Sequence, residues 1–75
     1  MGAADDFSDA ERVARIDSVI ALGEAALGST AAARRWLLRP NEALGGAIPI
    51  QLLRTEVGAR KVESILGRAL QGGFS

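Results

Sequence analysis

Apolar residues recur along this chain at helical spacing and nowhere at the alternation of a strand. Val13, Ile16, Ile20 and Leu27 fall on one line, widened by Val19 and Ala26, which is the period of an amphipathic helix. Ser8 stands where an N-cap belongs, and Glu11 three residues on completes a capping box that satisfies two amide donors at the helix start. Glu11 also precedes Arg15 by four positions, an order that favours an ion pair within the helix. Gly28 supplies the stop, since glycine accepts the left-handed conformation that closes a helix. Gly23 inside this helix costs about 1 kcal/mol against alanine and marks a kink or a close helix approach.

A second helix begins at Ser29 or Thr30 and runs through Ala33, Trp36 and Leu37, until Pro40 disfavours helical geometry at Arg39. Residues 41–44 are predicted to make a single turn capped by Asn41, followed by Gly45-Gly46. Pro49 suits a first helical position, where its missing donor would be unpaired anyway, and Ile50, Leu52 and Leu53 form a short apolar helix. Thr55 caps a last helix in which Val57 or Gly58, Val62, Ile65, Leu66 and Ala69 share a face. Gly72-Gly73 ends it and frees Phe74-Ser75. With no internal repeat and no low-complexity linker, the pattern predicts an all-α fold, a small bundle of about four helices with a Pro/Gly-containing loop. Residues 1–7 read as a flexible N-terminal lead and residues 8–75 as a single helical domain.

Seventy-five residues lie near the lower limit of what one core can stabilise. Neither cysteine nor histidine is present, so no disulfide can help and a structural zinc site is not expected. A chain of this kind is a candidate for gaining stability from a second copy or another protein. The first residues are acidic and lack the apolar centre of a secretion signal, and no apolar run approaches the ~20 residues that cross a bilayer. A cytoplasmic location is the expectation. Charge is zero overall but unevenly placed. Residues 1–24 hold six acids against Arg12 and Arg15, a net of −4, and residues 25–75 hold seven bases against three glutamates, a net of +4. Two outcomes follow: the acidic helix neutralises the basic half within the fold, or the basic half faces a partner.

Catalytic chemistry is poorly supplied. Histidine, cysteine and tyrosine are absent. Glu56 and Glu63 share a helical face with Arg60 between them, the arrangement of a solvated, salt-bridged surface. Lys61, the only lysine, reads as a surface charge. Gly45-Gly46 has neither a dinucleotide-binding pattern nor a Walker lysine and reads as a tight turn. Trp36, the sole tryptophan, sits on the apolar stripe with Leu37 and reads as a core anchor. Phe74 stands beyond two glycines, open either to a partner or to docking back on the bundle. The arginine-rich last helix admits a nucleic-acid reading, but zero net charge and an unsuitable preceding turn oppose it.

The ordered set Trp36-Leu37-Leu38-Arg39-Pro40-Asn41-Glu42-Ala43-Leu44-Gly45-Gly46-Ala47-Ile48-Pro49-Ile50-Gln51-Leu52-Leu53 resembles the toxin-binding domain of the MbcA/ParS/Xre antitoxins, partners of RES-domain toxins. The resemblance continues through residues 54–58, Val62 and Leu66, and the tail Gln71-Gly72-Gly73-Phe74. It implies an antitoxin of a type II toxin-antitoxin pair that binds a cognate RES-domain toxin and occludes its NAD-using active site. No enzyme activity and no cofactor of its own are implied, and the marginal core makes a homodimer or higher hetero-oligomer the expectation. The partner-binding residues carried over are Arg68, Gln71, Gly72, Gly73, Phe74 and Ser75 at the tail, with Asn41, Leu44, Gly45 and Gly46 in the loop. Family members commonly carry a separate DNA-binding region ahead of this part, and about twenty residues are too few to hold one, so operator binding is not expected. The alternatives are a small helical DNA-binding or transcription-associated module and a homodimerisation domain.

Overall fold

A computed structural model describes residues 7–71 and shows four α-helices: α1 (Asp9–Leu27), α2 (Thr30–Leu37), α3 (Pro49–Leu52) and α4 (Glu56–Leu70). A single 3-10 turn, Glu42–Leu44, lies between α2 and α3. Among the described residues the only β-type pairing is an isolated antiparallel bridge between Asn41 and Ala47. The punctuation follows local chemistry closely. Ser8 Oγ accepts the Glu11 N–H while the Glu11 carboxylate accepts the Ser8 N–H, a complete capping box. Ser29 caps α2, Thr55 caps α4, and Gly28 closes α1 at φ 97°. Pro49 occupies the first turn of α3.

The core is aliphatic. Val19, Ala33, Leu37, Leu53, Ala59, Val62 and Leu66 are buried, and α1 packs chiefly against α2 and α4. Two glycines set the approach distances. A Cβ on Gly23 would meet the Ala33 Cβ at 2.9 Å, so α1 and α2 touch through their smallest side chains. A Cβ on Gly58 would fall 2.0 Å from the Leu52 carbonyl oxygen, so the α3–α4 corner requires glycine there. Gly58 therefore takes the buried position on α4, while Val57 is 67% exposed.

Several expectations are corrected by this packing. Val13 is 59% exposed and the residues around it in the first turns of α1 are exposed too, so the apolar stripe read from the sequence is covered only from Ile16 onward. Phe7 packs against the core, its N–H donates to the Arg54 carbonyl at 2.7 Å, and the Arg15 guanidinium lies 5.2 Å from its ring centre. Arg15 does not pair with Glu11, whose carboxylate is taken by the cap; it reaches Glu63 of α4 at 2.9 Å. Arg60 consequently pairs with Glu56 alone, at 2.7 Å. Trp36 is only half-buried, against the rim of the core. The largest fully buried side chains are instead Leu53, Leu66, Val19, Val62 and Pro49.

Candidate partner-binding site

The contacts that orient the helices also leave one face open. Phe7 lies against Arg54, Arg15 against Glu63 and Gly23 near Leu66, so α1 and α4 run side by side in the same direction. At their C-terminal ends the 3-10 turn and α2 cover them incompletely, and three adjoining depressions remain. The first, about 580 Å³, lies between Ala43 and Leu44 of the turn, Leu52, and the α4 residues Arg60, Lys61, Ile65 and Arg68. The second, about 350 Å³, lies between Leu27, Trp36, Ile65 and Ala69. The third, about 340 Å³, runs along Trp36 past Arg35, Arg39, Pro40 and Asn41. Ala43, Ile65 and Arg68 line the first two, and Leu27 and Trp36 line the last two, so the three form one continuous groove.

Its floor is apolar and its rim is cationic. None of the lining residues is acidic, and Arg35, Arg39, Lys61 and Arg68 have no carboxylate partner among the described residues. The ion pair joining the two halves of the chain, Arg15–Glu63, couples a base of the acidic half to an acid of the basic half. It uses the minority charge on each side, so among the described residues the charge segregation seen in the sequence is not neutralised internally. Guanidinium groups on an apolar surface suit carboxylates, which they bind with two parallel hydrogen bonds.

Of the residues singled out from sequence, Leu44 and Arg68 line the groove together and Asn41 lies at its far end. Asn41 is also bound up in the turn. Its Oδ1 accepts the Ala43 N–H at 2.9 Å, and its carbonyl accepts from Leu44 and Gly46. Gly45 and Gly46, at φ 69° and 87°, close that turn and are exposed. Gln71 ends α4 through its N–H to the Gly67 carbonyl at 3.0 Å. Gly72, Gly73, Phe74 and Ser75 lie outside the described residues. Trp36, Ile65, Lys61, Arg35 and Arg39 were not singled out as site residues, although their sequence holds a signal. Lys61, Ile65 and Arg68 are spaced four and three apart, on a line one residue away from the core line of Val62 and Leu66. Among the described residues no group of three or more acidic, histidine or cysteine side chains could hold a metal ion, and no helix is long and apolar enough to cross a membrane.

Comparison with known proteins gives this surface a context. The family model described as the antitoxin Xre/MbcA/ParS C-terminal toxin-binding domain matches residues 22–72, the segment that contains every residue lining the groove. The chain is also similar to a protein named antitoxin Xre from Pseudomonas putida, 34% identical over 64 residues. That alignment takes in 85% of this chain but spans only 40% of the relative's length. No solved structure matches. The family match covers well over half of the sequence, and this chain belongs to the Xre/MbcA/ParS antitoxin family through its C-terminal toxin-binding domain.

Proposed function

We propose that this domain is the toxin-binding part of a type II antitoxin, and that it neutralises a cytoplasmic RES-domain toxin by covering the entrance of its NAD-using site. The observation that carries this proposal is the coincidence of the family segment with an apolar groove rimmed by bases that lack partners among the described residues. Arg68 and Leu44 contribute from the groove, and Gln71 places the chain's exit from α4 one turn beyond Arg68. From there the sequence continues as Gly72-Gly73-Phe74-Ser75. Two glycines permit a sharp bend into a cleft, and an aromatic ring gives a rigid anchor of the type that dominates binding energy. The domain acts by steric coverage, with no catalysis and no cofactor of its own.

The test is titration of the domain against the NAD turnover of a RES-domain toxin. Deletion of residues 72–75, and separately Arg68→Glu, should each weaken neutralisation by about tenfold or more while circular dichroism stays unchanged. Full potency in both variants would remove the tail and the groove from the mechanism. Failure of the unaltered domain to bind the toxin would remove the proposal itself.

A further inference from the structure

The groove has a complement on the same chain. Residues 9–14 of α1 are exposed, and within them Val13 presents an uncovered apolar side chain. Asp9 and Asp17 stand four residues before and after it, which places both carboxylates on the same helical line as Val13. Neither aspartate has a cationic partner among the described residues, and the sequence adds Asp5 and Asp6 just upstream. The capping box at Ser8 and Glu11 starts this helix firmly, so the acidic end is presented in a fixed shape.

This acidic, apolar end cannot reach the groove of its own copy. Phe7 is held against Arg54 at the N-terminal ends of α1 and α4, whereas Leu27, Ile65 and Arg68 line the groove at their C-terminal ends. Fourteen residues of helix separate Val13 from Leu27, about 21 Å along the axis. A straight α1 cannot fold back across that length.

We infer that the free chain associates head to tail, with the acidic end of α1 from one copy laid in the basic groove of the next. Val13 seats on the apolar floor beside Trp36 and Ile65, and Asp9 and Asp17 face the guanidinium groups of Arg35 and Arg68. This is a helix-in-groove contact between two different surfaces of identical molecules, and each associated pair keeps one free end and one free groove. Both surfaces lie on the chain itself, and the inference does not depend on the antitoxin proposal.

Sedimentation equilibrium and Trp36 fluorescence on the full chain test it together, since the only tryptophan lines the groove. The expected result is a mean mass that rises with concentration, a parallel shift in tryptophan emission, and weaker association as salt is raised. Asp9→Arg/Asp17→Arg and Arg35→Glu/Arg68→Glu should each weaken self-association by about tenfold or more. An equimolar mixture of the two doubly substituted chains should associate again, because the reversed end of one now matches the reversed groove of the other. Circular dichroism of each variant checks the fold. A monomer at every concentration would overturn the inference and leave the groove to another protein, without bearing on toxin neutralisation. Association indifferent to both charge reversals, or reversals that the mixture fails to rescue, would overturn it equally.

Discussion

Replacing Gly58 by alanine should destabilise the domain, although glycine-to-alanine changes inside helices ordinarily do the opposite. The ordinary gain is about 1 kcal/mol, from reduced backbone freedom in the unfolded chain and better helix propensity. At Gly58 the added Cβ would lie 2.0 Å from the carbonyl oxygen of Leu52 and 2.9 Å from its carbon. Non-bonded heavy atoms prefer ~3.5 Å, so the corner must open by more than ~1 Å. The obstacle is backbone and cannot rotate away. Moving it also disturbs the Thr55 cap, whose Oγ1 accepts the Gly58 N–H at 3.1 Å. Overpacking of this kind costs ~3 kcal/mol at the severe end, and a lost cap costs ~1 kcal/mol more. After the propensity gain is subtracted, the net loss is about 3 kcal/mol, a fall in melting temperature of roughly 12–24 °C for a domain of this size.

Gly67, nine residues further along the same helix, is the internal control. A Cβ there meets nothing within 4 Å, so Gly67→Ala should gain the propensity term alone and raise the melting temperature by ~2–8 °C. Thermal unfolding followed by circular dichroism at matched protein concentration gives both values. Equal shifts for the two variants, or a Gly58→Ala chain that melts at or above the parent, would refute the idea that the α3–α4 corner is set by backbone contact at Gly58.

Further expectations follow from single contacts. Gly23→Ala should lower the melting temperature by less than Gly58→Ala, since its Cβ meets a methyl group at 2.9 Å and the two helices can separate slightly; a gain would show that α1 and α2 are not in contact. The Glu11 pKa is lowered from 4.5 by hydrogen bonds from the Ser8 backbone and then its side chain. Its stabilisation is therefore present above pH 4.5 and lost as pH falls through the lower folded value. Glu11→Gln should flatten that acid limb in melts recorded against pH, and an unchanged limb would place the acid sensitivity elsewhere. A double-mutant cycle on Arg15 and Glu63, each about one-third exposed, should return a coupling of ~0.5–1 kcal/mol; zero coupling would mean that the pair does not hold α1 to α4. Trp36→Ala should cost ~1–2 kcal/mol, below the ~3–5 kcal/mol of a fully buried tryptophan, and complete unfolding would restore Trp36 to the core.

The helix boundaries were legible because each is written in one or two residues. The Ser8–Glu11 box, the left-handed Gly28, Asn41 in its turn and Pro49 at a helix start depend on neighbours within four positions. What the sequence could not distribute was burial. Val13 obeys the helical period as well as Ile16 does, yet only Ile16 packs against the core, because coverage is set by tertiary neighbours that the period does not encode. Ion pairing failed for a similar reason. Glu11 could serve Arg15 or its own helix cap, and the cap took it, which released Arg15 to a partner forty-eight positions away. The groove was half visible, as Arg68, Leu44 and Asn41. Trp36 reads as an anchor because it is a lone tryptophan among aliphatics, yet in the structure the aliphatics fill the core and leave the ring at its rim.

That division of labour explains how so small a domain can hold a binding surface at all. Among the described residues the fully buried apolar side chains are valine, leucine and alanine together with Pro49, while Phe7 and Trp36 are only partly buried, near opposite ends of α1. Each lies near arginine, Phe7 beneath Arg15 and Trp36 between Arg35 and Arg39 in a shared depression. An aromatic ring held at the rim has already lost much of its rotational freedom, so a partner that covers it gains apolar area at little further entropic cost. The fully buried layer is aliphatic and its close approaches are set at Gly23 and Gly58, while both rings pack against its edge. Changes along the proposed binding groove should therefore leave the arrangement of α1 against α4 as it is.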